Sequence, residues 1–129
     1  MCGIVGYIGS KEKTLDVLLN GLTNLEYRGY DSAGIAYFNE NELKIVKSVG
    51  RIEKLKNKIN QEEALVGIGH TRWATHGEAN EKNSHPHHVG KITIVHNGII
   101  ENYEELKHNL IEKEYQFQSD TDTEISCAL

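Results

Sequence analysis

The chain has 129 residues, and its 14 basic and 19 acidic side chains give a formal net charge of -5. This length fits one domain, and the negative charge argues against a nucleic-acid partner. No apolar run approaches the roughly 20 residues that span a bilayer, and no signal-peptide pattern is present, so we expect a soluble cytoplasmic protein without a membrane partner.

The first half of the chain predicts strands alternating with helices. β-branched residues at 2–8 favour a strand, and leucines at helical spacing predict a helix over 11–25. The polar, glycine-punctuated stretch 26–34 is expected to be a functional loop. The remaining predictions are a hairpin of strands 34–38 and 43–49, a short helix at 52–59 and a strand at 64–69.

The second half is dominated by a long polar stretch between Gly77 and Lys91. A loop of that length in a compact domain is usually functional. A strand is expected at 91–96. Asn102-x-x-Glu105 and Thr121-x-x-Glu124 are capping boxes that predict two further helices. Because the sequence stops soon after the second box, we expect a domain that continues beyond Leu129.

Cys2 is a candidate nucleophile because it follows the initiator methionine. Removal of Met1 would leave a free α-amine, with a pKa of about 7.7–8.0, on the residue that carries the thiol. Nucleophile and base would then share one residue. The alternative is a small buried side chain, which a single cysteine favours. The other cysteine, Cys127, is expected in the core, and two cysteines are too few for a disulfide framework.

Asn97-Gly98 follows a predicted strand and could stabilise an oxyanion. A side-chain amide and an unobstructed backbone N–H supply the donor pair that acyl transfer needs. Asn-Gly is also a leading signal for a type I′ turn. The dipeptide alone favours the turn.

Arg72 and Asp122 are candidate substrate ligands. Arginine binds carboxylates with two parallel hydrogen bonds, although a surface ion pair is an equal alternative for Arg72. Asp122, in the first turn of the last predicted helix, could bind an ammonium group. It could also simply complement the helix dipole.

Seven histidines raise the possibility of a metal site. The sequence lacks a supporting cysteine pair and a His-Glu-x-x-His helix, which typical zinc sites carry. We therefore predict no metal and no cofactor, and interpret the histidines as hydrogen-bonding loop residues.

Six motifs occur in order along the chain and together resemble one family. They are CGIVG at 2–6, EYRGYDSAG at 26–34, HTRWATHG at 70–77, HPH at 85–87, HNGIIEN at 96–102 and TDTE at 121–124. This set is similar to the glutaminase domain of the glutamine:fructose-6-phosphate aminotransferases, which belong to the class II, N-terminal-nucleophile glutamine amidotransferases.

The resemblance implies an α+β fold, a four-layer αββα sandwich of which residues 1–129 form the N-terminal portion. It also implies that Cys2 attacks the carboxamide of glutamine, with Asn97 and Gly98 as the oxyanion hole. Arg72 would bind the glutamine carboxylate and Asp122 its amine.

Further roles carried by the resemblance concern the loop and the rest of the parent protein. Thr75, His76 and Trp73 match a loop that closes over glutamine, and Arg28 matches a residue that orders the N-terminal region. The implied partners are glutamine, an isomerase domain in the parent protein and a second subunit of a homodimer.

Two other hypotheses stay open from the sequence. The chain could be a non-catalytic module, because a retained Met1 would leave an amide where the base should be. It could also serve an amidotransferase with another acceptor, as in the phosphoribosylpyrophosphate or asparagine-forming relatives. The sequences at 26–31 and 70–77 resemble the sugar-phosphate family more closely.

Overall fold

The computed structural model describes residues 2–73 and 78–129; Met1, Thr75 and His76 therefore lie outside the described residues. A 3₁₀ turn at Glu26–Arg28 connects the first helix to the second strand. The other elements are β1 (Gly3–Ile8), α1 (Thr14–Leu25), β2 (Ser32–Asn39), β3 (Glu42–Val49), α2 (Ile52–Lys58), β4 (Val66–Arg72), β5 (His87–Val89), β6 (Ile92–Ile94), α3 (Tyr103–Glu112) and α4 (Asp122–Ala128).

The larger sheet has four strands in the order β1-β4-β2-β3, and every neighbouring pair is antiparallel. β4 is internal, so both of its edges are hydrogen-bonded. His70 on β4 pairs with Ile4 of β1 and with Gly34 of β2. Side chains near the end of β4 are therefore held on a rigid strand.

One face of this sheet is covered by α1 and α2. The leucines of α1 recur three and four residues apart and so share one helix face. They pack on alternate β2 residues, which point to one side of a strand. The buried cluster comprises Leu15, Leu18, Leu22, Ala33, Ile35, Tyr37, Ile52, Leu55 and Ala64.

The opposite face of the sheet meets the second half of the chain. A Cβ at Gly34 would overlap the carbonyl oxygen of His85, so the backbone leading into β5 crosses the sheet closely there. β5 and β6 form a two-stranded sheet, which packs against α4, and α4 contacts α3. The layers thus run helix, sheet, sheet, helix.

Several local predictions differ from the structure. β2 begins at Ser32, inside the stretch 26–34 that the sequence predicts to be a loop, and the strand predicted at 91–96 covers only Ile92–Ile94. β5 lies in the polar stretch that the sequence predicts to be a loop, and β4 continues to Arg72 instead of ending at residue 69. The prediction of a capping box at Asn102 is wrong, because the Asn102 side chain makes no capping hydrogen bond. At Thr121 the side chain does accept the N–H of Glu124 at 3.4 Å. Cys127 is buried, as predicted.

Among the described residues, no helix is both long and apolar enough to cross a membrane.

Candidate functional site

A cavity of about 540 Å³ lies where β1 begins, β4 ends and α4 begins. Its wall includes every described residue for which the sequence predicted a role in the site. These residues are Cys2, Arg28, Arg72, Trp73, Asn97, Gly98 and Asp122. Side chains that are far apart in sequence are thus brought together around one opening.

Cys2 stands at the cavity wall, immediately before β1. The backbone N–H of Trp73 donates to Cys2 Sγ at 3.2 Å, and the thiol donates to the Trp73 carbonyl at 3.5 Å. The next residue is fixed as well, because the N–H of Gly3 donates to Thr71 Oγ1 at 3.2 Å. The thiol therefore has a defined position against the end of β4.

Asn97 contacts Cys2 through its side-chain amide. Asn97 Nδ2 donates to the Cys2 carbonyl at 3.1 Å, and Asn97 Oδ1 lies 2.8 Å from Nε2 of His70. Gly98 has a φ of 133°, which side-chain-bearing residues rarely adopt. The dipeptide leads toward α3 and joins no pair of strands, so the hairpin-turn interpretation is wrong.

Arg72 brings a positive charge to the cavity although it is only 3% exposed. Its Nη1 donates to the Glu78 carbonyl at 2.9 Å. Such burial contradicts the surface ion pair that the sequence left open. Asp122 is 4% exposed, and its Oδ2 accepts the N–H of Ile100 at 2.8 Å. Each charged group is thus fixed at the cavity wall by a backbone contact.

Trp73 and Arg28 occupy the more open part of the wall. The Trp73 side chain is 50% exposed, and its ring packs edge-on against Tyr30 with centroids 5.8 Å apart. Arg51 lies over the other aromatic ring, 4.8 Å from the Tyr30 centroid. Arg28 Nε is buried and has no hydrogen-bond partner among the described residues.

Three buried histidines form a group at the cavity wall, and of these His85 lines the cavity. The rings of His70 and His85 stack with centroids 4.0 Å apart, and His85 meets His87 edge-on at 4.7 Å. Burial lowers the pKa of His70 to about 4 and the pKa of His87 to about 3, and it also lowers the pKa of His85. All three rings are therefore neutral at pH 7.

The sequence assigned no site role to this histidine group. The sequence predicts His70 in a loop after a strand that ends at residue 69, whereas His70 lies within β4. A strand extended by three residues would have placed His70 on a face of the sheet. Within the described residues, no cluster of three or more His, Cys, Asp and Glu could hold a metal ion.

Comparison with known proteins identifies the family. Residues 55–129 match the family described as the glutamine amidotransferase domain. The chain belongs to the glutamine amidotransferase family. Among curated relatives, this glutamine amidotransferase chain is 57% identical over 129 residues to the glutamine–fructose-6-phosphate aminotransferase of Clostridium perfringens. It is 52% identical over 133 residues to the enzyme of the same name from Fusobacterium nucleatum.

These matches cover 97% and 100% of the amidotransferase chain, but only 21% and 22% of the two relatives. The chain thus spans about a fifth of their length. A solved structure of glutamine phosphoribosylpyrophosphate amidotransferase from B. subtilis is also similar. It has a TM-score of 0.84 and 26% identity, and covers 100% of this chain and 29% of that one. The predicted αββα fold of the N-terminal-nucleophile type is confirmed.

Proposed function

We propose that this chain hydrolyses glutamine to glutamate and ammonia, with Cys2 as the nucleophile. The observation that carries the proposal is the contact of Cys2 Sγ with the Trp73 N–H, at 3.2 Å, on the wall of the cavity. This contact fixes the sulfur, the attacking atom of the proposed reaction, on the wall of the cavity. Asn97 stands beside the same residue.

The proposed reaction proceeds through a thioester. After Met1 is removed, the α-amine of Cys2 takes the thiol proton, and the sulfur attacks the carboxamide carbon of glutamine. The new C–S bond gives a tetrahedral oxyanion. Its C–N bond then breaks, and the leaving amine takes the proton back as ammonia. Water adds to the thioester, the C–S bond breaks, and glutamate and the thiol are released.

We assign the oxyanion to Asn97 and Gly98. One N–H of Asn97 Nδ2 donates to the Cys2 carbonyl, and a primary amide nitrogen carries two N–H groups. The second N–H and the backbone N–H of Gly98 would bind the oxyanion. Donors fixed before the reaction stabilise the developing charge without reorganisation.

Charge at the cavity wall supports the proposed recognition of glutamine. Arg72 would bind the α-carboxylate and Asp122 the α-ammonium group. Both side chains are nearly inaccessible to solvent. Charge-assisted hydrogen bonds to such groups are strong. The two ends of a zwitterionic amino acid would then fix the position of the carboxamide.

The remaining assignments concern the mouth of the cavity. We propose that Trp73, with Thr75 and His76 beyond the described residues, closes over bound glutamine and excludes water from the thioester. Arg28 would order the N-terminal segment that carries Cys2. Its place on the cavity wall supports that role.

We further propose that the ammonia is used to aminate fructose-6-phosphate in a longer protein. In that protein, residues 1–129 would be the N-terminal portion of the glutaminase domain, joined to an isomerase domain. Identity of 57% to a named fructose-6-phosphate aminotransferase supports this acceptor over the phosphoribosylpyrophosphate enzyme, which is 26% identical. A homodimer and a cytoplasmic location complete the proposal.

The test is labelling of Cys2 by an electrophilic glutamine analogue, read by mass spectrometry on Met1-free, full-length protein. We expect one adduct, on Cys2, together with glutaminase activity that Cys2→Ala abolishes. Cys127→Ala is the control, because Cys127 is buried in the other half of the chain. A folded, Met1-free protein that remains unlabelled at Cys2 would refute the proposal and favour the non-catalytic module.

A further inference from the structure

The amide of Asn97 is held from two sides by carbonyl and imidazole groups. At one end Nδ2 meets the carbonyl of Cys2 at 3.1 Å, and a carbonyl oxygen only accepts hydrogen bonds. At the other end Oδ1 lies 2.8 Å from Nε2 of His70. Whether the oxygen or the nitrogen of the Asn97 amide faces His70 depends on which ring nitrogen of His70 carries the proton.

A second contact fixes that tautomer. His70 Nε2 also lies 3.1 Å from the backbone carbonyl of His96, which again can only accept. Nε2 must therefore carry the hydrogen, so the group that faces it on Asn97 must be the amide oxygen. Two backbone carbonyls thus determine one orientation of the Asn97 side chain, with Nδ2 toward Cys2.

The His70 side chain is held more firmly than the segment that contains Asn97. His70 lies on β4, the internal strand of the larger sheet, and is fully buried. Asn97 lies between β6 and α3, in a segment that belongs to no strand or helix. The stacked His85 adds a second hold, because its Nδ1 accepts the N–H of His96 at 3.4 Å.

We infer that His70 is a positioning residue for glutamine hydrolysis: its Nε2–H binds the amide oxygen of Asn97 and thereby aims Asn97 Nδ2 at the reacting carbonyl. The inference rests on the proposed function, because it requires Asn97 to stabilise the oxyanion. His70 does not line the cavity, so it would act only through Asn97. Burial keeps the ring neutral and so supports a fixed Nε2–H tautomer.

The test is a double-mutant cycle of His70→Leu and Asn97→Ala in the full-length protein, measured as glutaminase kinetics. Loss of an oxyanion donor costs about 100- to 1,000-fold in kcat, and we expect His70→Leu to cost about 10- to 100-fold by the same mechanism. The KM for glutamine should change by less than about threefold. In the Asn97→Ala background, His70→Leu should lower kcat by less than about twofold.

Two further measurements separate positioning from a general structural role. Alkylation of Cys2 by iodoacetamide needs no oxyanion hole, so its rate should not change in His70→Leu. His70→Gln should recover part of kcat, since the Gln amide can donate in place of Nε2–H. Wild-type imidazole ¹⁵N spectra at pH 7 should give a protonated Nε2 and a bare Nδ1 on His70, which tests the inference even if the variants unfold.

The outcomes distinguish the two proposals. If Asn97→Ala leaves kcat unchanged, the oxyanion assignment is wrong and the inference fails with it. If Asn97→Ala lowers kcat but His70→Leu lowers it equally in both backgrounds, only the positioning role is wrong. An Nδ1–H tautomer of His70 in the wild type would also overturn the inference while leaving the Cys2 mechanism intact.

Discussion

Gly29 lies directly against the peptide group that joins Arg72 to Trp73. A Cβ at Gly29 would be 2.8 Å from the carbonyl carbon and oxygen of Arg72 and 2.9 Å from the nitrogen of Trp73. The N–H of Asp31 donates to the same Arg72 carbonyl at 3.2 Å. Residues 29–31 therefore pack against the peptide group between Arg72 and Trp73. The N–H of this peptide group is the one that donates to Cys2 Sγ.

Gly29→Ala should therefore lower glutaminase activity by a large factor while it lowers the free energy of unfolding only moderately. The added methyl group can be accommodated only by moving backbone, because the atoms that it meets are main-chain atoms. Overpacking of this kind costs about 1–3 kcal/mol of folding free energy. A displacement of about 1 Å near reacting groups can cost about 100-fold in rate, so we expect kcat/KM for glutamine to fall by roughly that factor.

Gly6→Ala is the matched control for this prediction. It adds the same methyl group to β1, where the nearest heavy atom would be 4.0 Å away, an ordinary contact distance. Glutaminase kinetics and urea unfolding should be compared for both variants. An activity of Gly29→Ala equal to that of Gly6→Ala would mean that the contact with the end of β4 has no functional weight.

Asp122→Asn should weaken glutamine binding with a smaller effect on kcat. The amide keeps an oxygen that can accept the Ile100 N–H now bonded to Asp122, but it removes the negative charge. A hydrogen bond to a charged group contributes about 1.5–3 kcal/mol, which corresponds to a KM increase of about 10- to 100-fold. Initial-rate kinetics over a range of glutamine concentrations measure the increase.

Asp120→Asn provides the comparison, since Asp120 lies two residues away and is exposed. Its carboxylate accepts from Asn83 Nδ2 at 3.3 Å and does not line the cavity. We expect its KM to match the wild type. Equal KM values for Asp122→Asn and the wild type would mean that Asp122 does not bind the ammonium group of glutamine.

Much of the fold followed from periodicity, and the exceptions have physical reasons. The leucine spacing of α1 predicted its buried face because that helix packs on one sheet. β5 has only three residues, too few for an alternating pattern, and it is held by β6 and α4. Asn102 has a capping sequence, yet its φ of -95° and ψ of 29° differ from the extended conformation of a capping residue.

The residues of the site could be predicted from the sequence, but their arrangement in space could not. Cys2, Asn97 and Asp122 could each be selected for their chemistry, although for each of them the residue alone favoured a structural alternative. The sequence motifs also include His70, but its effect on Asn97 depends on a tautomer. That tautomer is set by the carbonyl of His96, which comes close only after β4 and the segment after β6 have packed together.

The three buried histidines should make the protein less stable in mild acid. In the folded state the pKa of His70 is lowered to about 4 and that of His87 to about 3, whereas an unfolded histidine titrates near about 6.5. Above pH 6.5 neither state is protonated, so no penalty exists. Below it the unfolded chain binds protons first, and stability falls as the pH drops toward 4.

Each such histidine should contribute a slope of up to about 1.4 kcal/mol per pH unit within this window. His87→Gln should reduce the slope by about that amount, as measured by urea unfolding between pH 7 and 5. The control is His108→Gln, whose side chain is 73% exposed. If both substitutions alter the slope equally, burial is not what determines the acid sensitivity.

Glu124→Gln should destabilise the protein by about 2–3 kcal/mol, because a buried, charged acceptor would be lost. Glu124 is 3% exposed, and its carboxylate accepts the N–H groups of Gln118 at 2.9 Å and Ser119 at 2.6 Å. It also accepts the Tyr115 hydroxyl at 2.8 Å and the Ser119 hydroxyl at 2.6 Å. A glutamine amide would turn a donor toward at least one of these donors.

The pH dependence of that loss provides a second check. Burial alone would raise the pKa of Glu124, but hydrogen bonds from Ser119, Gln118 and Tyr115 outweigh it and lower the pKa. The carboxylate therefore stabilises the fold above its ordinary pKa, and the contribution disappears as the pH falls through the lowered value. Urea unfolding of Glu124→Gln should consequently differ most from the wild type at neutral pH, with exposed Glu105→Gln as the control. A difference that is constant from neutral to strongly acid pH would mean that the charge of Glu124 does not stabilise the segment before α4.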